Sequence, residues 1–296
     1  MRATPVAAAP TRVRLIRLQE STSAADACSV VLALHGAAIV HNLQCVLTTL
    51  DPEGPHQLRI ALRRTRVALR VFEPVMRRKA NEQLVETARA LGRIVGEWRD
   101  ADVMIDEIVA PAARDDTALL AALEAWRQEV RGRVRAKLLA GGAPGLAAAF
   151  ARDAATRAWV RPNGGRALAG DVIASAQDAF WGKAEPLAAR MPDLSHLELH
   201  QLRKAVKALR YGAELAASAG MPSEAPRYKR IQDALGYAND TAALEQFRPP
   251  VFGFGDAVQA LCLRVISERS GAVGDAIATA MAEWSALSRE RAGVAN

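Results

Sequence analysis

Apolar residues recur every three or four positions along almost the whole chain, which is the pattern of amphipathic α-helices. Turn-forming residues interrupt the pattern at GGAPG (141–145), RPNGG (161–165), MPDLS (191–195) and FRPP (247–250). No stretch alternates apolar and polar residues as a half-buried strand does. The pattern predicts an all-α protein. Its predicted helices span residues 24–49, 54–73, 78–97, 101–113, 117–139, 145–158, 169–190, 196–218, 224–236, 238–246, 252–268 and 271–292.

The sequence also contains an internal repeat. The segment HQLRIALRRTRVALRVF, which begins at His56, aligns after a shift of 144 residues with HQLRKAVKALRYGAELA, which begins at His200. A second pair of segments follows, GEWRDADV (96–103) and GYANDTAA (236–243). In each of these a glycine precedes an aspartate by four residues. Two related halves are the simplest explanation of the repeat.

Each half has the length of an ordinary helical bundle, and the turn near 160–168 separates them. We predict a first bundle over residues 20–160, which contains the basic helix 54–73. We predict a second bundle over residues 165–292, which contains the basic helix 196–218.

The excess positive charge lies in one short stretch. The formal net charge of the chain is +7, and residues 54–79 contain eight basic residues against a single acid, Glu73. Seven of the eight are arginines, whose planar fork binds phosphate oxygens in pairs. Compensating carboxylates at four-residue spacing are missing from the helix, and like charges at that spacing lower its stability. This concentration of charge favours a polyanionic partner.

Helical geometry places the basic side chains of each helix on one face and apolar side chains on the other. In the first helix the basic stripe is less than about 90° wide at 100° per residue; it contains His56, Arg59, Arg63, Arg66 and Arg70, opposite Leu58, Leu62, Thr65, Leu69 and Phe72. The second helix repeats the arrangement with His200, Arg203, Lys207 and Arg210 opposite Leu202, Val206, Leu209 and Ala213. Ser195 and Glu198 form a predicted capping box, and Asp51 is the predicted cap of the first helix.

Four motifs resemble those of the CHAD domain, a family named for its histidines and helices: HQLRIALRRTRVALRVF, WRDADV, LHQLRKAVKALRYGAEL and YKRIQDALGYAND. The resemblance covers roughly residues 20–290. It implies two helical bundles related by pseudo-twofold symmetry, with a basic surface that binds inorganic polyphosphate, and a protein that is not an enzyme. No segment resembles the triphosphate-binding CYTH domain that accompanies some members. The chain therefore resembles a stand-alone member, and some members associate with polyphosphate granules.

The resemblance implies polyphosphate-binding residues on both basic helices, which we expect to line a common groove. Those of the first helix are His56, Arg59, Arg63, Arg64, Arg66 and Arg70. Those of the second are His200, Arg203, Lys204, Lys207, Arg210 and Tyr211, and the surface extends to Lys229 and Arg230. The second stripe is weaker, because Glu214 and Ala208 stand where Arg70 and Arg64 would align. We expect Glu214 to pair with a neighbouring arginine.

Several residue types leave two roles open. His56 and His200 could each donate a hydrogen bond to phosphate or hold the adjacent arginine. His196 and His200 have a spacing that zinc uses, but no third ligand is apparent, so we expect no metal or cofactor. Three aspartates, Asp100, Asp102 and Asp240, are interpreted as helix N-caps, as counter-ions of arginines, or as metal-binding carboxylates.

Two other functions share the basic surface. One is RNA or DNA binding, although aromatic residues are not interleaved with the arginines and the five tryptophans are expected in the core. The other is an enzyme acting on phosphoanhydrides, which would need carboxylates beside the basic surface to hold a metal. A purely structural alternative is that the arginines join the two halves.

The remaining features predict a cytoplasmic protein without a membrane span, and the resemblance to the CHAD family adds polyphosphate granules as a location. The first twenty residues lack an apolar stretch of signal-peptide length. The longest apolar segment, about 24–50, is interrupted by His35, His41, Asn42 and Gln44, and we interpret it as a core helix. Cys28, Cys45 and Cys262 are widely spaced in apolar surroundings, as expected of reduced core cysteines.

Overall fold

The computed structural model describes residues 9–13, 16–162 and 164–294. Its α-helices are α1 (Ala24–Thr48), α2 (Glu53–Val71), α3 (Arg78–Val103), α4 (Ala110–Ala112), α5 (Thr117–Ala140), α6 (Ala143–Thr156), α7 (Ala169–Ala188), α8 (His196–Ser218), α9 (Ala225–Ala243) and α10 (Gly255–Val294). A π-helix (Met104–Val109) joins α3 to α4, and short 3-10 helices cover Glu73–Val75, Gly164–Arg166, Met191–Asp193 and Leu244–Gln246. No strand occurs in the described part of the chain, so the all-α prediction is confirmed.

Three helices continue where the sequence pattern predicted a break. Helix α3 runs through residues 97–101, α9 joins the predicted helices 224–236 and 238–246, and α10 joins 252–268 and 271–292. The predicted breaks are wrong because they lie next to glycines, Gly96, Gly236 and Gly271, that here adopt helical conformations. The glycines with positive φ are elsewhere, at Gly142, Gly220 and Gly253. A helical glycine destabilises its helix by about 1 kcal/mol relative to alanine, which is too little to end a well-packed helix.

The described residues form two compact units that alternate along the chain. The first contains the residues up to Val103 together with Arg127–Ala174 and Ser218–Met221. The second contains Met104–Trp126, Ser175–Ala217 and the residues from Pro222 onward. The sequence-based division near residue 160 places Met104–Trp126 in the first bundle, whereas these residues pack in the second unit. The pseudo-twofold relation between two bundles stays a prediction.

In the first unit, α1 packs against α2 and α6, and α2 packs against α3. Helix α1 is long and apolar enough to cross a membrane, but 56% of its most apolar window is buried inside the protein. His35 and Asn42 are buried in it, which confirms the predicted core position of this helix. Arg135 of α5 donates hydrogen bonds to the carbonyl oxygens of Val46 and Thr49 at the end of α1. The charged guanidinium satisfies carbonyl groups that the helix leaves without partners.

In the second unit, α10 packs along α9. The first part of α10 also packs on an apolar cluster that includes Ile105, Ile108 and Leu123. Near its other end, Trp284 stacks on Trp181 of α7 with ring centroids 4.3 Å apart. Between these contacts, residues 266–279 include no fully buried side chain.

The three cysteines are free thiols buried in the structure, as predicted. Burial raises the pKa of each thiol because the thiolate would lose hydration. They therefore behave as small core residues rather than as reactive groups.

Candidate functional site

Helix α2 presents an apolar face to the core of the first unit. The side chains predicted for this face, Leu58, Leu62, Thr65, Leu69 and Phe72, are each at most 2% exposed. Pro52, and not Asp51 as predicted, occupies the N-cap position of the helix, and Asp51 next to it accepts a hydrogen bond from the backbone N–H of Glu53 at 2.9 Å. The packing of α2 against α1 and α3 fixes which way its opposite face is directed.

The opposite face of α2 concentrates positive charge. Arg63, Arg64 and Arg66 are partly buried and Arg70 is exposed. Burial lowers the pKa of Arg66, and the neighbouring Arg89 lowers it further. The smaller contribution of Arg89 shows that like charges lie close together here, and a bound anion would relieve their repulsion. Arg64 lies at the edge and donates a hydrogen bond to the carbonyl oxygen of Val13 at 3.4 Å.

Helix α3 adds basic residues that sequence reasoning missed. Arg89 lies near Arg66, and Arg99 lies near Arg59, as their effects on those pKa values show. Glu86 partly compensates Arg89, whose Nη1 donates a hydrogen bond to its carboxylate at 2.9 Å. The sequence does contain a signal for Arg89. At helical spacing it lies on the same face of α3 as Gly96 and Asp100, so it could have been assigned to the side that faces α2.

Arg59, the first arginine of the stripe, is fixed against α3. Its Nη1 donates a hydrogen bond to the carbonyl oxygen of Gly96 at 2.9 Å and lies 3.0 Å from Oδ1 of Asp100. The Arg59 side chain is only 16% exposed. Burial lowers its pKa, and the Asp100 carboxylate partly opposes that effect. The glycine and aspartate noticed in the repeat therefore form the immediate surroundings of an arginine.

The second basic helix, α8, follows the same plan. Its predicted apolar residues, Leu202, Val206, Leu209 and Ala213, are all at most 1% exposed. The predicted capping box is also confirmed. The Ser195 hydroxyl donates a hydrogen bond to the Glu198 carboxylate at 2.7 Å, and the Ser195 backbone N–H donates to the same oxygen at 2.9 Å. These hydrogen bonds lower the pKa of Glu198 to about 2.

The polar face of α8 includes a carboxylate as well as basic residues. Nε of Arg210 lies 3.2 Å from the Glu214 carboxylate, which confirms the predicted pairing of Glu214, and Nη1 donates a hydrogen bond to Gln232 at 3.1 Å. The guanidinium of Arg210 also lies over the ring of Tyr211, and Tyr211 is buried. Lys204 is exposed. Lys207, another predicted binding residue of this helix, is partly buried.

Arg203 occupies the place in α8 that Arg59 occupies in α2. Its Nη2 lies 3.8 Å from Oδ1 of Asp240, a residue of α9. A Cβ atom placed on Gly236 would lie 3.2 Å from the same nitrogen. In each unit, then, the first arginine of the basic helix approaches a glycine and an aspartate on the helix that follows.

His200 is held by α9 at the start of the second stripe. Its Nδ1 lies 2.6 Å from Oδ1 of Asn239. Because an amide oxygen only accepts hydrogen bonds, Nδ1 is the donor in this contact. Asn239 also donates a hydrogen bond to Asp240 at 3.2 Å. Of the two roles considered for this histidine, the contacts support positioning; His56 is partly buried at the matching place on α2.

The basic residues of α9 lie beside carboxylates. Lys229 donates a hydrogen bond to Asp233 at 2.5 Å. Nε of Arg230 donates to Glu283 of α10 at 2.7 Å, and this contact raises the pKa of Arg230. The predicted extension of the binding surface to Lys229 and Arg230 stays a prediction, with the charge of both residues compensated.

The three candidate aspartates are counter-ions, and the N-cap interpretation is wrong. Asp100 and Asp102 lie within α3, and Asp240 lies within α9, because neither glycine that precedes them ends its helix. Asp102 is fully buried and its Oδ1 lies 3.1 Å from Nη2 of Arg131. Within the described ranges, no three His, Cys, Asp or Glu side chains are grouped so that they could hold a metal ion.

The tryptophans belong mostly to the core, as predicted. Trp98, Trp159, Trp181 and Trp284 are buried. Trp126 is partly buried and packs edge-on against Phe247, with ring centroids 5.6 Å apart. The four buried rings are therefore unavailable as platforms on which nucleotide bases could stack.

Comparisons with known proteins agree with these observations. A sequence model of the CHAD domain matches residues 30–249 of the chain. The crystal structure of the CHAD domain from the plant Ricinus communis has a TM-score of 0.76 and 22% sequence identity, and the match covers 91% of this chain and 96% of that one. PptA from Streptomyces chartreusis has a TM-score of 0.65 and 16% identity, with coverages of 89% and 100%. At these identities the two structures establish a common fold. No curated protein sequence matches significantly.

Proposed function

Because the chain belongs to the CHAD domain family, we propose that it binds inorganic polyphosphate through the basic faces of α2 and α8 and does not hydrolyse it. The family is associated with polyphosphate binding. A flexible chain of phosphates can follow a row of arginines because each phosphate offers acceptor oxygens in the geometry of a guanidinium fork. Release of counterions from the polymer adds to the affinity, as it does for nucleic acids.

The observation that carries the proposal is the basic face of α2. Two partly buried arginines there, Arg59 and Arg66, have pKa values lowered by burial and by other arginines. A surface whose charges only served solubility would have its cations spread among acids in water. Held together by a packed helix, these cations instead offer a preorganised site for a polyanion.

Replacement of two central arginines tests the proposal. We expect the variant with Arg63→Ala and Arg66→Ala to bind long-chain polyphosphate much more weakly at low salt. A hydrogen bond between charged groups contributes about 1.5–3 kcal/mol, which is about tenfold or more in affinity per arginine. The matched control replaces Arg133 and Arg152, two exposed arginines of α5 and α6 in the same unit. Equal affinities for the two double variants would contradict the proposal, as would a wild-type protein that does not bind.

Competition distinguishes polyphosphate from nucleic acid. The buried tryptophans offer no stacking surface, so phosphate contacts alone would have to hold RNA. We expect polyphosphate to displace labelled RNA at equal phosphate concentration, and RNA to displace polyphosphate poorly. The opposite order would make the nucleic acid the better candidate ligand.

The absence of hydrolysis is tested by phosphate release with Mg²⁺ or Mn²⁺. Two carboxylates that approach the basic helices from neighbouring helices, Asp100 and Asp240, are engaged with Arg59 and Arg203, which supports a binding role. Sustained release of phosphate from long-chain polyphosphate, lost on replacement of Asp100, would show an enzyme instead.

We further propose a cytoplasmic location at polyphosphate granules. A polymer-binding surface would retain the protein wherever the polymer is concentrated. A fluorescent fusion should then gather at granules, and the variant with Arg63→Ala and Arg66→Ala should remain diffuse. A wild-type fusion that stays diffuse in cells rich in granules would contradict this location.

A further inference from the structure

Glycine occurs in the middle of α3 where an arginine of α2 passes close to the backbone. A Cβ atom built on Gly96 would lie 2.9 Å from Nη1 of Arg59, a distance that real Cβ contacts do not reach. The glycine has helical backbone geometry, so no turn requires it. Alanine would favour the helix more. The requirement at this position is therefore space for the guanidinium.

Arg59 is held by two acceptors at one nitrogen. Nη1 donates a hydrogen bond to the Gly96 carbonyl oxygen at 2.9 Å and lies 3.0 Å from the Asp100 carboxylate. A guanidinium has five N–H donors on three nitrogens. Both of these contacts are made by Nη1, and neither involves Nη2 or Nε. The arrangement fixes the plane of the fork while leaving the donors of these two nitrogens for a ligand.

Stability alone does not account for the aspartate. The Asp100 side chain is 70% exposed, and ion pairs with such exposed partners contribute little to folding stability. A carboxylate beside a polyanion site also repels the ligand. Orientation of the neighbouring Arg59 is a role of Asp100 that would offset this repulsion.

The second unit repeats the arrangement independently. A Cβ on Gly236 would lie 3.2 Å from Nη2 of Arg203, and Oδ1 of Asp240 lies 3.8 Å from the same nitrogen. His200 joins this group through Asn239, which donates a hydrogen bond to Asp240. The same pairing of a glycine and an aspartate, one helical turn apart, thus surrounds the first arginine of both basic helices.

We infer that these glycines and aspartates are positioning residues: they hold Arg59 and Arg203 in the orientation that receives phosphate. The inference rests on the proposed polyphosphate function and adds to it the groups that orient the binding arginines. The glycine admits the guanidinium to the surface of the helix. Asp100, 3.0 Å from Arg59, fixes the rotation of that guanidinium, whereas Asp240, 3.8 Å from Arg203, acts on it through its charge.

Replacement of Asp100 separates positioning from simple charge. If Asp100 acts only by its negative charge, Asp100→Ala removes repulsion and tightens polyphosphate binding. We expect the reverse, an affinity about tenfold lower, while Asp100→Asn, which keeps an acceptor oxygen, stays within about threefold of wild type because a neutral acceptor retains part of the bond. Tighter binding by Asp100→Ala, or equal losses in both variants, would overturn the inference.

A double-mutant cycle tests whether the glycine acts through the arginine. Gly96→Ala should lower the affinity in the wild-type background and have no further effect in the Arg59→Ala background. A purely structural disturbance of α3 would lower affinity in both backgrounds, and that result would contradict the inference.

A measurement without ligand keeps the two proposals separate. The order parameter of the Arg59 Nε–H group, measured by NMR, should fall in Asp100→Ala and Gly96→Ala. If wild-type protein does not bind polyphosphate, the proposed function is wrong, and unchanged order parameters would show that the arginine is not held either. If wild-type protein binds but the variants match it in affinity and order, only the positioning role is overturned.

Discussion

At the scale of single residues, the choice of arginine on α2 is informative. Lysine would supply the same charge, but its ammonium binds phosphate as a point charge, whereas the planar guanidinium of arginine can donate two parallel hydrogen bonds. Arg63 and Arg66 lie in a partly buried face, where a guanidinium can be held flat and donate two parallel hydrogen bonds. Geometry as well as charge should therefore determine the affinity.

The variant with Arg63→Lys and Arg66→Lys tests this. Because the charge is kept and the fork is lost, we expect polyphosphate affinity to fall several-fold while the dependence of affinity on salt stays unchanged. Titrations at several salt concentrations measure both quantities, and lysine replacements of Arg133 and Arg152 serve as the control. Affinity equal to wild type would mean that the site reads charge alone.

His35 gives the first unit a pH-dependent stability. Burial in the core, together with the charge of the nearby Arg64, lowers its pKa to about 3. In the unfolded chain this ring has its ordinary pKa of 6.5. Between pH 6.5 and 3 the unfolded state therefore binds a proton that the folded state does not bind. Stability is therefore lost as the pH falls from 6.5 towards 3, by up to about 1.4 kcal/mol per pH unit.

His35→Phe should remove this dependence, since the ring keeps its place but cannot titrate. Urea unfolding between pH 7.5 and 5 measures the free energy of unfolding for both proteins. We expect the wild-type value to fall more steeply on acidification, and the variant to lose nothing at neutral pH, because Nδ1 of His35 lacks a hydrogen-bond partner among the described residues. Parallel pH curves would contradict the assignment.

At the scale of elements, helical glycines explain where sequence reasoning failed. Breaks were predicted after Gly96 and Gly236, which instead make room for arginines, and before Gly271, where α10 continues. Propensity treats every glycine as a helix breaker. Only the tertiary partner distinguishes a glycine that admits a side chain from one that ends a helix, and that partner lies far away in sequence.

Two glycines of α10 have no such partner. A Cβ on Gly271 or Gly274 meets no heavy atom within 4 Å, and both residues are exposed and helical. Alanine at each position should raise the free energy of unfolding by about 1 kcal/mol, because alanine loses less backbone entropy. Urea unfolding measures the gain. Gly253→Ala is the opposing control, since φ is +77° there and alanine should destabilise; no gain at Gly271 or Gly274 would refute this account.

At the scale of the whole molecule, local patterns predicted local structure well. The apolar period located both basic helices within about two residues of their observed ends, and it identified their buried faces, since those features depend on neighbours along the chain. Arg89 and Arg99 were missed because the glutamates of α3 hide any excess of basic charge in the sequence. Residues 104–126 were assigned to the first bundle, whereas they pack in the second unit, because their partners come much later in the chain. The common groove stays a prediction.

Each compact unit is built from segments that are far apart in the chain, and this has a consequence for biosynthesis. Met104, Ile105, Ile108 and Val109 pack in one cluster with residues of α10 such as Cys262. Since the ribosome adds about 5–20 residues per second, these apolar side chains wait on the order of ten seconds for their partners to be translated. The nascent chain therefore exposes this apolar segment during much of its synthesis, and a chaperone that binds exposed apolar segments would act here.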